Sequence, residues 1–378
     1  MRLVQRVILL LGVVFLLQST VVQAEAIDSL TADAAILIEA STGKVLFEKN
    51  ADKREYPAST TKMMTLLLAL ENCNLNDTVQ VTAEAAAVEG SSMELDAGDK
   101  IQLGELLQGM MLASGNDATV AVADYMASSM ESFTAKMNKK ARALGATNTN
   151  FVNSSGLPDP DHYSTARDLS KIAAYGYRNP TFRSIVRVKE KRSQWIKPAT
   201  KYFTFENTNE LLEEDDDING IKTGYTSAAG ECLVASAERN GVNLIAVVLH
   251  AGDGCRFTEA ATLLDYGFAK VNMEKAFSKD ELIKSVYVQG GKNYRITARP
   301  QKDIYYPVSG GDKGCYSVKY DMPNFIEAPV SAGQKVGALC ILYNGKEVDR
   351  VDMVADSAIG KGFSLMSFLI GIYAGIFA

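Results

Sequence analysis

Pro57-Ala58-Ser59-Thr60-Thr61-Lys62-Met63-Met64-Thr65-Leu66-Leu67-Leu68-Ala69-Leu70 reads as a helix that opens on a reactive hydroxyl. Proline suits the start of a helix, and serine or threonine suits its first positions. Beyond Lys62 the run is apolar nearly all round, so the helix belongs in a domain core. Ser59 and Lys62 lie three apart and share one helical face. A serine hydroxyl is a poor nucleophile until a base takes its proton, and a desolvated lysine can be that base. The helix N-terminus adds free N–H groups and a positive field where an oxyanion would form. The chain carries its own control in Ser41-Thr42-Gly43-Lys44. That copy has the same spacing, but it sits between two short strand-like runs with a glycine inside, and so reads as a turn with a solvated lysine.

Outward from this helix, Ala34 to Glu39 and Val45 to Lys49 read as a β-hairpin around the Ser41 turn. Leu103 to Ala113, Asp117 to Ala127 and Glu131 to Leu144 read as further helices. Thr165-Ala166-Arg167-Asp168 opens another as a capping box, running to about Tyr177. Ser184 to Val188 and Lys201 to Glu206 read as strands, and Glu213 to Asp217 as a solvated acidic loop. Ile221 to Thr226, Glu231 to Glu238 and Val242 to His250 read as strands, and Thr258 to Val271 as an amphipathic helix. The strands belong in one antiparallel sheet with helices packed on it and a helical subdomain beside it: an α+β fold. After about residue 274 only short alternating runs remain, divided by Gly-Gly, Asn-Gly and Pro signals. They describe a small all-β sandwich. Phe363 to Ala378 carries no charge, and its small and polar residues fall on one stripe, as in an amphipathic helix lying in a membrane surface.

Residues 1–24 read as a secretory signal: Arg2 and Arg6, then an apolar run from Val7 to Leu17, then a small-residue cleavage site. The formal net charge is −6, and loss of Arg2 and Arg6 with that signal makes it −8. An acidic mature chain argues against a nucleic-acid partner. Five dispersed cysteines form no Cys-x-x-Cys; Cys315 and Cys340 share the last segment, either paired or free. His162 and His250 are the two histidines, and neither stands in a metal-ligand spacing. His162 reads as a loop residue ahead of a capped helix, and His250 as a strand end.

Two more stretches bear on the chemistry. Leu112-Ala113-Ser114-Gly115-Asn116-Asp117 joins two helices and can place Ser114 and Asn116 beside Lys62. Asn219-Gly220-Ile221-Lys222-Thr223-Gly224-Tyr225-Thr226 starts a strand whose Lys222 and Thr223 can hold a carboxylate, with Gly224 allowing close approach. Ser-x-x-Lys, then Ser-x-Asn 55 residues on, then Lys-Thr-Gly 108 further, is far rarer together than any member alone. In this trio and its order the chain resembles the penicillin-recognising serine enzymes. Within them it is similar to the low-molecular-weight penicillin-binding proteins that act as D-alanyl-D-alanine carboxypeptidases, serine peptidase family S11. The blocks Tyr56 to Met63, Leu112 to Asp117, His162 to Leu169 and Gly220 to Thr226, the late β module and the terminal helix all carry the likeness.

The resemblance implies a β-lactamase/transpeptidase-like fold and a role for each matching residue. Ser59 is the acylated nucleophile and Lys62 its base; Ser114 and Asn116 complete the proton network. Lys222 and Thr223 bind the substrate carboxylate beside Gly224, and the N–H groups of Ser59 and Tyr225 form the oxyanion hole. Arg256 assists with the carboxylate. The implied substrate is a peptidoglycan stem peptide ending in D-Ala-D-Ala, with β-lactams as covalent inhibitors and neither metal nor cofactor required. The implied domains are a signal peptide over 1–24, a catalytic domain over 27–273, an all-β domain over 274–356 and a membrane-anchor helix over 357–378, outside the bacterial cytoplasm. One departure stands at Ser154-Ser155-Gly156, where relatives often place a histidine before the glycine. Two rivals use the same residues. A DD-endopeptidase would cut cross-links. A class A β-lactamase needs a glutamate with asparagine four residues on, and no glutamate between Ser114 and Lys222 has one.

Overall fold

The computed structural model describes residue 27, residues 29–366 and residues 368–369. The expected signal peptide lies outside them. The chain divides into two compact units between Ala269 and Lys270. This is ahead of the composition shift at 274, because Asn272 and Met273 already pair with Val308 and Pro307.

The first unit is built on a five-stranded antiparallel sheet. Its strands are β1 (Ala34–Glu39), β2 (Val45–Lys49), β7 (Ile218–Thr226), β8 (Gly230–Arg239) and β9 (Val242–Ala251), in the order β2-β1-β9-β8-β7. Two short pairs complete the numbering: β3 (Thr78–Gln80) with β4 (Lys100–Gln102), and β5 (Glu190–Gln194) with β6 (Tyr202–Glu206). Burial runs almost unbroken along β1, β8 and β9, so both faces of the sheet are covered. The helices are α1 (Lys62–Asn72), α2 (Ala83–Ala86), α3 (Leu103–Leu112), α4 (Asn116–Met126), α5 (Met130–Ala143), α6 (Ala166–Tyr177), α7 (Pro180–Val186), α8 (Leu211–Glu214) and α9 (Arg256–Phe268). One face of the sheet, with Ala34, Ile36 and Ile38, shares a core with Met63, Leu66 and Leu67 of α1. On the other face α9 comes so close that a side chain at Gly267 would strike Leu37 and Leu244. Helix α1 is buried on every side from Lys62 to Ala69, as its apolar run requires.

Two local expectations need correcting. Ser184 to Val186 ends helix α7 instead of starting a strand. Asn179 caps that helix by accepting from Thr181 N and Phe182 N, Pro180 takes its first turn, and Phe182, Ile185 and Val186 share its buried face. The β-branched residues mimic a strand, but the cap decides. The acidic run begins inside α8, although Glu213, Glu214 and Asp216 are exposed as expected.

The second unit is all-β. Strands β11 (Lys284–Gln289), β12 (Arg295–Pro300), β14 (Tyr316–Asp321), β15 (Phe325–Glu327), β16 (Lys335–Tyr343) and β17 (Lys346–Ala355) form one sheet in the order β14-β16-β17-β12-β11-β15. Strands β10 (Asn272–Phe277) and β13 (Ile304–Val308) form a pair beside it. Ile304 joins Val286, Ile296, Leu339 and Val351 in one apolar core. All five cysteines are free, Cys315 and Cys340 included. The expected anchor helix does not begin at 357, because Ile359 bridges to Val330 and Lys361 to Gly291. Phe363, Leu365, Met366, Phe368 and Leu369 are exposed. The rest of that expected helix, from 370 on, lies outside the described residues. Among the described residues no helix is long and apolar enough to cross a membrane.

Candidate active site

The chain enters the site through a tight 3₁₀ turn, Ala58–Thr61, which feeds directly into α1. Ala58 is wholly buried and has φ +46°, a conformation that an alanine adopts only where its surroundings hold it. Gly156 is part of that hold. It has φ +93°, and a Cβ there would lie 1.8 Å from the Ala58 carbonyl oxygen. Gly156→Ala is therefore expected to cost about 3 kcal/mol of stability and to slow acylation of the turn it displaces. Urea unfolding checks the first effect and the penicillin-labelling rate the second; an unchanged midpoint would mean that the loop yields freely.

Lys62 is buried within this frame. Its Nζ lies 2.8 Å from Ser59 Oγ, 2.8 Å from Asn116 Oδ1 and 3.1 Å from the Ser155 carbonyl oxygen. The orientation of the Asn116 amide is fixed, because its Nδ2 donates to Glu89 O at 2.8 Å, leaving Oδ1 for the lysine. A neutral amine has two N–H donors and one lone pair. Asn116 Oδ1 and Ser155 O take the two protons, so the lone pair is left for the Ser59 hydroxyl. Burial, and then the charge of Lys222, hold the Lys62 amine well below the usual lysine range; Asp117 opposes this without prevailing. Asp117 instead orders the loop over Asn116, accepting from Ser92 Oγ at 2.7 Å, Met93 N at 2.9 Å and Leu95 N at 3.2 Å.

Strand β7 forms the facing wall. At Gly224 a Cβ would meet Ala58 Cβ, Pro57 O and Ser59 N, each at 3.1 Å. The close approach that requires glycine here is thus to the Ser59 turn itself. Lys222 is buried, and the one hydrogen bond of its Nζ among the described residues runs to Thr223 Oγ1 at 3.4 Å. Burial, and then the charge of Arg256, push it down to about 7. A buried lysine with no carboxylate partner is costly unless a ligand supplies the anion. Arg256 Nη1 reaches Gly224 O at 3.5 Å, and its Nε lies 3.9 Å from Glu231. Tyr225 leaves its side chain exposed.

The structure thus brings Ser59, Lys62 and Asn116 together and sets Lys222, Thr223 and Gly224 along strand β7, with Arg256 reaching Gly224 O from the first turn of helix α9. Ser114 is buried at φ +62° and has no side-chain hydrogen bond among the described residues. His162 stands behind the site. Val152 N donates to its Nδ1 at 3.2 Å, so the proton sits on Nε2, 2.9 Å from Thr61 Oγ1. Burial pushes this imidazole down to about 4. Three contributors escaped the sequence reading: the carbonyls of Ser155 and Glu89, which no side chain advertises, and Thr208, whose Oγ1 lies 2.5 Å from Thr223 Oγ1. Among the described residues one group could hold a metal ion, Asp33, Glu55 and His250. Lys53 already occupies it as a cation, 2.7 Å from Asp33 and 2.6 Å from Glu55.

A family model for D-alanyl-D-alanine carboxypeptidase matches residues 19–253. The chain belongs to the D-alanyl-D-alanine carboxypeptidase family. The family is one of hydrolases, as the three motifs led us to expect. A second model, the C-terminal domain of penicillin-binding protein 5, matches residues 272–361. The chain is 34% identical over 338 residues to D-alanyl-D-alanine carboxypeptidase DacF of Bacillus subtilis, covering 87% of this chain and 86% of that one. It is 34% identical over 360 residues to DacC of Escherichia coli, covering 90% and 86%. Among solved structures it is similar to penicillin-binding protein 5 of Haemophilus influenzae, with 30% identity, a TM-score of 0.62, and 88% and 98% of the two chains covered. The peptidoglycan synthesis regulatory factor PBP3 of Streptococcus pneumoniae superposes with a TM-score of 0.71 at 27% identity, covering 88% and 100%.

Proposed function

We propose that this family member removes the terminal D-alanine from peptidoglycan stem peptides through an acyl-enzyme on Ser59. The observation that carries the reading is the buried Lys62 amine, with two acceptors for its protons and Ser59 Oγ 2.8 Å away. Lys62 takes the hydroxyl proton as Ser59 Oγ attacks the carbonyl carbon of the penultimate D-alanine. The oxyanion forms against the N–H groups of Ser59 and Tyr225. The C–N bond then breaks, and D-alanine leaves with a proton relayed through Ser114. Water attacks the ester, and Ser59 regains its proton. Lys222 and Thr223, with Arg256 behind them, receive the terminal carboxylate, and Asn116 holds the substrate backbone as well as Lys62. Penicillins mimic the substrate and leave a slowly released acyl group.

The same reading puts the enzyme outside the cytoplasm, with 1–24 as its export signal. The apolar residues Phe363, Leu365, Met366, Phe368 and Leu369 begin its membrane anchor. The catalytic domain is then the first unit and the all-β domain the second.

The test is to label the purified protein with a fluorescent penicillin, map the adduct by mass spectrometry, and assay D-alanine release from a D-Ala-D-Ala pentapeptide. We expect an adduct on the peptide holding Ser59, together with D-alanine release. Labelling with cleavage of a cross-linked dimer instead would move the activity to an endopeptidase. Rapid turnover of the penicillin would make it a β-lactamase, and an adduct elsewhere would remove Ser59 as the nucleophile.

A further inference from the structure

Thr208 lies outside all three motifs, yet its hydroxyl touches one of them. It follows strand β6, and its side chain is exposed. Its backbone is tied in place. Thr208 N donates to Leu112 O at 3.3 Å, and the neighbouring Asn207 N donates to Lys189 O at 2.7 Å. Asn209 Nδ2 donates to Gly220 O at 3.1 Å. The segment thus stitches the end of helix α3, two residues before Ser114, to strand β7. From this frame Thr208 Oγ1 meets Thr223 Oγ1 at 2.5 Å.

A hydroxyl has one proton and two lone pairs. At Thr223, Lys222 Nζ donates to one lone pair. If Thr208 donates to the other, the Thr223 proton is left to point at a ligand. A carboxylate is a stronger acceptor than a hydroxyl and draws that proton to itself, which turns Thr208 into the donor. The chain from Thr208 O–H through Thr223 O–H to the carboxylate is then cooperative, each bond polarising the next.

We propose that Thr208 is a positioning residue for recognition of the free C-terminal carboxylate, acting by fixing the Thr223 hydroxyl as a donor. The proposal rests on the reading that Lys222 and Thr223 take up that carboxylate. The test compares two D-alanyl thioesters, one whose leaving group ends in a carboxylate and its methyl ester. It uses the full chain as wild type, Thr208→Val, Thr208→Ser and Thr223→Val, with circular dichroism to confirm the fold. In Thr208→Val the acid-to-ester ratio of kcat/KM is expected to fall about three- to tenfold, mostly through KM, and Thr208→Ser is expected to restore it. If Thr223→Val lowers the ratio while Thr208→Val leaves it alone, Thr208 has no such role and the carboxylate reading stands. If neither variant moves the ratio, the carboxylate reading falls and this proposal with it. An equal loss on both substrates in Thr208→Val would make the contact a structural stitch and overturn the proposal.

Discussion

Ser59→Ala and Lys62→Met are each expected to lower D-alanine release by about 10⁴-fold or more, and the double variant to be no worse than either. Groups that act as one unit are not additive: once the nucleophile is gone its base has nothing to deprotonate, and without the base the hydroxyl stays inert. Methionine matches lysine in length, so Lys62→Met keeps the fill of α1's buried face while removing the proton acceptor. It also leaves Asn116 Oδ1 and Ser155 O without their donor, which costs about 1 kcal/mol per bond. Some loss of stability therefore goes with the variant and is not the cause of inactivity. Lys62→Arg separates the two effects. It keeps a donor-rich side chain but cannot give up a proton at accessible pH, and it is expected to fail as well. Rates of penicillin acylation and D-alanine release, with circular dichroism for the fold, check all four proteins. Acylation of Lys62→Met within tenfold of wild type would remove Lys62 as the base.

The parts of this site legible in the sequence are those carried by side chains at fixed spacing. Ser59 and Lys62 had to meet once the run after Lys62 was read as a buried helix, because three residues bring two side chains to one face. The decoy at Ser41 fails for the opposite reason: its turn closes on Glu39, which accepts from Ser41 N and Thr42 N. What stayed hidden was work done by the backbone. Ser154 and Ser155 each contribute a carbonyl, to Thr65 Oγ1 and to Lys62 Nζ. Any residue has a carbonyl, so these two contacts put no demand on the side chains, whereas Gly156 beside them has no room for one. Thr208 was invisible for a different reason. Its contact depends on how the β5–β6 hairpin docks, a long-range event that leaves no local pattern. The misread stretch at Ser184 shows the converse: Ile185 and Val186 have strand-like chemistry, but the Asn179-Pro180 cap upstream outweighs it.

Lys222 should make activity and stability respond to pH in opposite directions. In the free enzyme its amine titrates near 7, held down by burial and by Arg256. Below that value it is charged and can pair with the substrate carboxylate; above it the charge is lost. The kcat/KM for a free-acid peptide is therefore expected to fall as pH rises through about 7. Stability runs the other way. In the unfolded chain the lysine stays protonated to about 10.4, so between the two values the unfolded state binds more protons and stability climbs with pH. From pH 7 to 9 the wild type should gain roughly 2 kcal/mol relative to Lys222→Met, in which the titration is absent. Taking the difference between the two proteins cancels the titrating groups that do not feel Lys222; Lys62, which does, adds its own share to the difference. Lys222→Met should also lose about 10²-fold in kcat/KM at neutral pH, the value of a hydrogen-bonded charge to the substrate, and should lack the falling limb near 7. Urea unfolding at the two pH values and a kcat/KM profile from pH 5 to 10 measure both. A falling limb that survives unchanged in Lys222→Met would assign that titration to another group and leave the carboxylate without its buried cation. A limb that disappears together with the stability difference would tie both to one proton, because a cation buried without a partner weakens the fold to the same degree that it awaits an anion.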